Sequence, residues 1–248
     1  MNKPSTENLN LIVDPEYLQN LCKSIAALEA IICPVWEYRY YSYQKDWSET
    51  EELCEMRNGQ GDQMLILFKN NAICINGFSK DSEINGWKNN LIKEKQSFMD
   101  KLFVSIKESK KEITQERPKG ALTNLPKAFN EFIYGEPVKS IGTTFCIWNI
   151  GKDTGWEIGK INLPGDNYQD GSSDLLQLLD GKSATYKKWA EEYYEDVFER
   201  RELKLELVDK IYSGVSITRE LVLQINPNLE DFENLRTDLN DIGYKHEL

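Results

Sequence analysis

The run Asp166 to Asp174 (Asp-Asn-Tyr-Gln-Asp-Gly-Ser-Ser-Asp) places oxygen donors at a spacing close to that of a cation loop. A calcium loop begun at Asp166 would put Asp170 and Gly171 at its fifth and sixth positions. Tyr168 then occupies the third ligand position and Gln177 the twelfth, where a bidentate glutamate is required. The pattern fails as an EF-hand. An Asx turn feeding the next helix explains the same residues, with a simpler cation site as the alternative. No metal or cofactor is expected.

Two phosphate-loop patterns also fail. Gly59-Gln60-Gly61 lacks a third glycine and precedes a strand, whereas a dinucleotide fingerprint needs strand, turn, then helix. Gly181-Lys182-Ser183 would put the first loop glycine at Leu176, inside an apolar helical segment. The only histidine, His246, is expected in a mobile tail, which removes the usual base for a serine or cysteine nucleophile. Glu51 with Glu55, and Glu191 with Glu195, lie four apart, the spacing of surface pairs on one helical face. No catalytic residue is assigned, and a non-enzymatic protein is the favoured expectation.

Two groups of candidate contact residues remain. Arg57, Asn58 and Asp62 lie in a polar turn beside apolar strands, and Asp170 and Asp174 lie in the second turn. If the turns meet, they would form a small-ligand or carboxylate enzyme site. The bland alternative is that Arg57 and Asp62 pair with each other. The second group is aromatic: Trp36 to Tyr41, and the helix segment holding Trp189 and Tyr193. Core packing accounts for such residues, and so does a partner surface, where Tyr, Trp and Arg dominate binding energy.

The elements that must position these groups follow from periodicity. Asp14-Pro15 starts a helix whose stripe is Leu18, Leu21, Ile25, Leu28 and Ile32. Trp36, Tyr38 and Tyr40 alternate with Glu37 and Arg39, which predicts a half-buried strand over 35–43. Ser48 with Glu51 matches a capping box, predicting a short helix through Leu53 and Met56 that ends at Asn58-Gly59. Met64–Phe68 and Ala72–Phe78 read as a hairpin around Asn70-Asn71, covered on both faces. A charged amphipathic helix is expected over 91–116, and a short one over 126–132. A strand over 143–150 and its return through Trp156 and Ile158 complete the sheet. The remainder reads as helical, with segments from Ser172, Ser183, Thr218 and Pro227. Two short helices within 205–242 also raise a DNA-binding helix–turn–helix, which local acidity opposes.

These elements predict an α+β fold: one antiparallel or mixed sheet of about five strands, packed helices and a C-terminal helical segment. Residues 1–13 are expected to be a flexible tail, and 14–248 a single domain with a charged insertion near 91–117 and a helical part over 172–243. The 248 residues carry 30 Lys+Arg against 41 Asp+Glu, a net charge of -11. That balance argues against nucleic-acid binding and for a basic protein partner. The five cysteines form no CxxC and read as free thiols of a reducing compartment. The polar start Met1–Asn10 has no signal-peptide core, and no apolar run is long enough for a membrane helix. A cytoplasmic protein is the expectation, with no reading of oligomeric state.

Several motifs carry a resemblance: Met56-Arg57-Asn58-Gly59-Gln60-Gly61-Asp62, Thr143-Thr144-Phe145-Cys146-Ile147-Trp148, Asp170-Gly171-Ser172, Leu178-Leu179-Asp180-Gly181 and Trp189-Ala190-Glu191-Glu192-Tyr193-Tyr194-Glu195. In these the chain resembles an uncharacterised family of bacterial cytosolic proteins, from about residue 35 onward, with 91–117 departing as an insertion. The family has no established activity, so the resemblance implies a bacterial cytosolic unit and no catalytic residues.

Overall fold

A computed structural model of the chain describes residues 3–82, 84, 120–151, 154–160, 169–198 and 202–248. The expected charged helix over 91–116 and the start of the Asp166–Asp174 run lie outside the described residues.

The fold is α+β. Six strands form an antiparallel meander in chain order: β1 Tyr41–Gln44, β2 Glu51–Arg57, β3 Gln63–Lys69, β4 Ala72–Phe78, β5 Phe145–Asn149 and β6 Glu157–Ile158. The β3–β4 hairpin turns where expected, with Asn70 at φ 54, a left-handed conformation that asparagine tolerates. The strand beyond the expected five is β2, read from the sequence as a helix. Ser48 does bond Glu51, at 3.2 Å, but across a tight turn rather than a helical one. Pairing with both β1 and β3 then holds 51–57 extended. The strand expected over 35–43 begins only at Tyr41. Trp36–Tyr38 is a 3-10 turn, and it is Arg39 that is buried while Trp36 and Tyr38 are exposed.

Alternation along the strands separates two faces. Tyr41, Tyr43, Cys54, Met56, Met64, Ile66, Ile75 and Ile147 point to the main core. That face is covered by α1 (Pro15–Ile32) and by the C-terminal helices. Leu53, Leu65, Leu67, Cys74, Cys146 and Trp148 point the other way, under α2 (Asn130–Tyr134) and α3 (Val138–Ile141). Cys22, Cys54, Cys74 and Cys146 are buried free thiols.

The C-terminal part contains α4 Ser172–Leu175, α5 Ser183–Tyr193, α6 Glu195–Phe198, α7 Leu205–Tyr212, α8 Arg219–Ile225 and α9 Phe232–Ile242. Thr218 caps α8 as expected, but Asp231, not the Pro227 region, caps α9. Two buried side chains tie this part to α1: Ser24 donates to the Ile211 carbonyl at 3.2 Å, and Asn226 to the Ile31 carbonyl at 2.8 Å.

Both ends of the chain are tied down more than expected. The Val13 amide donates to the Leu179 carbonyl, Trp156 Nε1 donates to the Val13 carbonyl, and Ile12 is buried. His246 lies in β8 (His246–Glu247), which pairs in parallel with β7 (Ile217–Thr218), and its Nε2 meets Asn240 Oδ1 at 3.2 Å. No described helix is long and apolar enough to cross a membrane.

Candidate functional site

The most constrained polar group in the core is Glu29, on the buried side of α1. Its carboxylate accepts the Tyr186 hydroxyl at 2.8 Å, the Tyr194 hydroxyl, the Tyr40 amide at 3.1 Å and the Tyr41 amide at 3.5 Å. Burial pushes its pKa above the ordinary carboxylate value, against these four donors, which favour the charged form. One side chain thus joins α1, the entry to β1, and α5 with the residue that follows it.

Tyr40 is the centre of the surface above that clamp. Its ring centroid lies 4.7 Å from that of Trp189 and 4.9 Å from that of Tyr193, and Trp189 stacks on Tyr193 at 5.0 Å. Its amide donates both to Glu29 and to the Tyr194 hydroxyl. Its carbonyl accepts from the Arg57 amide at 2.8 Å. Burial holds the Tyr40 hydroxyl well above its ordinary pKa, with Tyr193, Asp62 and Asp174 adding to the effect.

The two polar turns meet at this end of the sheet. Asn58 Nδ2 donates to Asp62 Oδ2 at 2.8 Å, and Asn58 Oδ1 accepts from the Gln60 and Asp62 amides. Asp62 Oδ1 accepts the Lys80 amide at 2.8 Å. The neighbouring Ser79 amide donates to Thr144 Oγ1, which donates in turn to the Asp170 carbonyl at 3.0 Å. Asp170 is buried, and its carboxylate accepts from Thr6 Oγ1 at 2.5 Å and from the Ser172 amide at 2.9 Å. Gly171 sits at φ 82 against Ser79, where an added Cβ would lie 2.2 Å from the serine Cβ.

The expected site residues therefore take different roles, and of them Arg57, Trp189 and Tyr193 contact Tyr40. Asn58, Asp62 and Asp170 are engaged in turns and caps. Asp174 is exposed, 3.6 Å from Lys3. Arg57 does not pair with Asp62. Its Nε lies 3.6 Å from Glu55, and its guanidinium covers the Trp36 ring at 4.4 Å. Glu51 and Glu55, expected on a helix, lie on β2, where Glu51 pairs with Lys69 at 2.7 Å. Glu191 pairs with Lys187 and accepts the Leu203 amide. Among the described residues, no group of three or more His, Cys, Asp and Glu side chains could hold a metal ion.

Glu29 is the member that no motif in the sequence marks, whereas Tyr40 belongs to the aromatic run Trp36 to Tyr41 that the sequence offers as core packing or a partner surface. A signal for Glu29 exists, since it is the one charged residue between Ile25 and Ile32. An acid at such a position must find donors or strongly destabilise the core.

Large aromatics remain exposed on the segment entering β1 and on α5: Trp36 at 49%, Tyr38 at 71% and Tyr193 at 39%, with Trp47 at 40% past the other end of β1. Trp36 and Trp47 also line a groove of about 420 Å³ beside β1. Rings left half in water at such density are a feature of association surfaces.

No protein-family model, curated protein or solved structure matches the chain.

Proposed function

We propose that the protein is a non-enzymatic binding protein, of regulatory or immunity type, for a basic protein partner. The observation that carries this reading is the exposure of Trp36, Tyr38 and Tyr193 next to the buried Tyr40–Trp189 pair, on a chain of net charge -11. Rigidly backed aromatics supply contact area at low entropic cost, and the acidic field steers a basic partner. The four donors on Glu29 hold that backing in place.

The test is affinity capture from a bacterial lysate at low and high salt, followed by titration of each enriched basic protein. The expected result is salt-sensitive binding that a Trp36→Ala/Tyr38→Ser/Tyr193→Ser variant loses. Equal binding by the variant, or no basic protein enriched at low salt, overturns the reading.

A second reading, a small-ligand or carboxylate enzyme site near Arg57, Asp62 and the 166–174 loop, is favoured by the hydrogen bonds that link the Asp62 turn, through Lys80, Ser79 and Thr144, to Asp170. It requires a small cation or polar metabolite that raises Tm in the wild type but not in Asp174→Asn.

A further inference from the structure

We propose that the groove beside β1 receives a single arginine side chain from the basic partner. The inference rests on the basic-partner reading and names where the partner's charge goes. The groove runs along the free edge of the sheet at β1, with Leu53, Glu55 and Leu65 lining it from the second face and Asp238 and Asp241 of α9 from the side of the main core. Leu53 and Leu65 line it as apolar contacts, with Pro137 and the half-exposed Trp36 and Trp47. Glu55, Asp238 and Asp241 also line it; Arg57 beside the groove faces Glu55, and the cation within the lining itself is Arg39.

That cation is already committed. Arg39 is buried, its Nη2 lies 2.6 Å from Asp238 and 2.9 Å from the Pro34 carbonyl, and its Nε donates to the Cys33 carbonyl at 2.8 Å. The Asp241 carboxylate makes no hydrogen bond or ion pair with any described residue, and its backbone carbonyl accepts from the Lys45 amide at 2.9 Å. Glu55 accepts from Gln63 through Oε1, the same oxygen that faces Arg57, so Oε2 is the oxygen left for an incoming donor. The groove is therefore aromatic-walled and carries excess negative charge.

Arginine fits this chemistry better than lysine. Its flat guanidinium stacks on indole rings, carries less tightly held water and forks to carboxylates, whereas an ammonium is a compact, strongly hydrated charge. The protein makes this contact once internally, with Arg57 lying over Trp36 and paired to Glu55.

The probe is L-argininamide, titrated into the whole protein while the tryptophan indole N–H signals are followed by NMR. The expected result is saturable movement of the Trp36 and Trp47 signals, weakened by salt, with lysinamide binding several-fold more weakly and citrullinamide, which keeps the α-amine but has an uncharged side chain, more weakly still. Trp47→Ala and Asp241→Asn, both exposed and outside the core, should each weaken argininamide about two- to fivefold, the scale of one lost exposed cation–π or charged contact. No saturable shift, equal citrullinamide binding, or unchanged affinity in both variants overturns the inference. A basic partner that binds through Tyr38 and Tyr193 but ignores Trp47→Ala and Asp241→Asn would sink the groove assignment alone. Argininamide binding with no basic partner enriched would sink the partner reading alone.

Discussion

The hydroxyl of Tyr186 on α5 donates to the carboxylate of Glu29 on α1 at 2.8 Å, across 157 positions of the chain. With Tyr194 and the Tyr40 amide on the same carboxylate, this contact sets the depth at which Trp189 and Tyr193 meet Tyr40. Removing the acceptor takes the shared partner from all four donors in the core. Glu29→Ala should cost about 3 kcal/mol or more, and Tyr186→Phe about 1.5 kcal/mol, read from urea unfolding. A loss of about 0.5 kcal/mol for Glu29→Ala, the size of an ordinary surface change, would show that the clamp adds nothing.

The same carboxylate makes stability depend on pH. Its native pKa is raised above 4.5 by burial, so the folded state holds the proton more tightly than the unfolded one. The contribution is fully present below pH 4.5 and is lost as pH rises through the native value. Glu29→Gln cannot titrate. The stability of the wild type minus that of the variant should therefore fall as pH rises through this window. A flat difference would mean that the four donors cancel the burial effect.

Tyr38 and Tyr193 are exposed and outside the clamp, so Tyr38→Ser should leave Tm unchanged while weakening an identified basic partner tenfold or more. Circular dichroism melting and titration calorimetry on the same samples separate the two effects. A matching loss in Tm would assign Tyr38 to folding instead.

Gly77 on β4 faces the ring of Phe145 on β5, where an added Cβ would lie 2.1 Å from Phe145 Cζ. Gly77→Ala should destabilise by about 1–3 kcal/mol through overpacking. The double variant Gly77→Ala/Phe145→Leu should recover part of that loss in the same urea assay, and no recovery would place the strain elsewhere.

Asp170 holds the segment before α1 through Thr6. Asp170→Ala should expose residues 3–13 to limited proteolysis while α5 stays protected, with cleavage mapped by mass spectrometry. Unchanged cleavage would show that Val13 and Trp156 suffice to hold the segment.

Much of the fold was legible where local signals and final contacts coincide. The α1 stripe, the Asn70 hairpin and the Phe145–Asn149 strand all follow from nearest neighbours along the chain. The errors have one cause. Ser48 and Glu51 satisfy the capping spacing in either a helix or a turn, and only the distant pairing with β3 chooses between them. Arg39 reads as the exposed residue of an alternating strand because Asp238, which buries it, lies 199 positions away. The link from Asn58 and Asp62 to Asp170 rests on Lys80, Ser79 and Thr144, and nothing local in the sequence marks any of the three as a partner of those turns.

The ties from α1 to Ile211 and Asn226 also set a timetable. Strands β1 to β4 can close hairpin by hairpin as they leave the ribosome, since each pairs with its neighbour in sequence. The apolar side of α1 meets only this sheet so early. It waits for α7, α8 and α9, a delay on the order of 10 s at ordinary rates of synthesis. For that interval the nascent chain carries its most apolar helix only partly covered, with Glu29 lacking its Tyr186 and Tyr194 donors. That helix is the segment that a ribosome-associated chaperone would meet first.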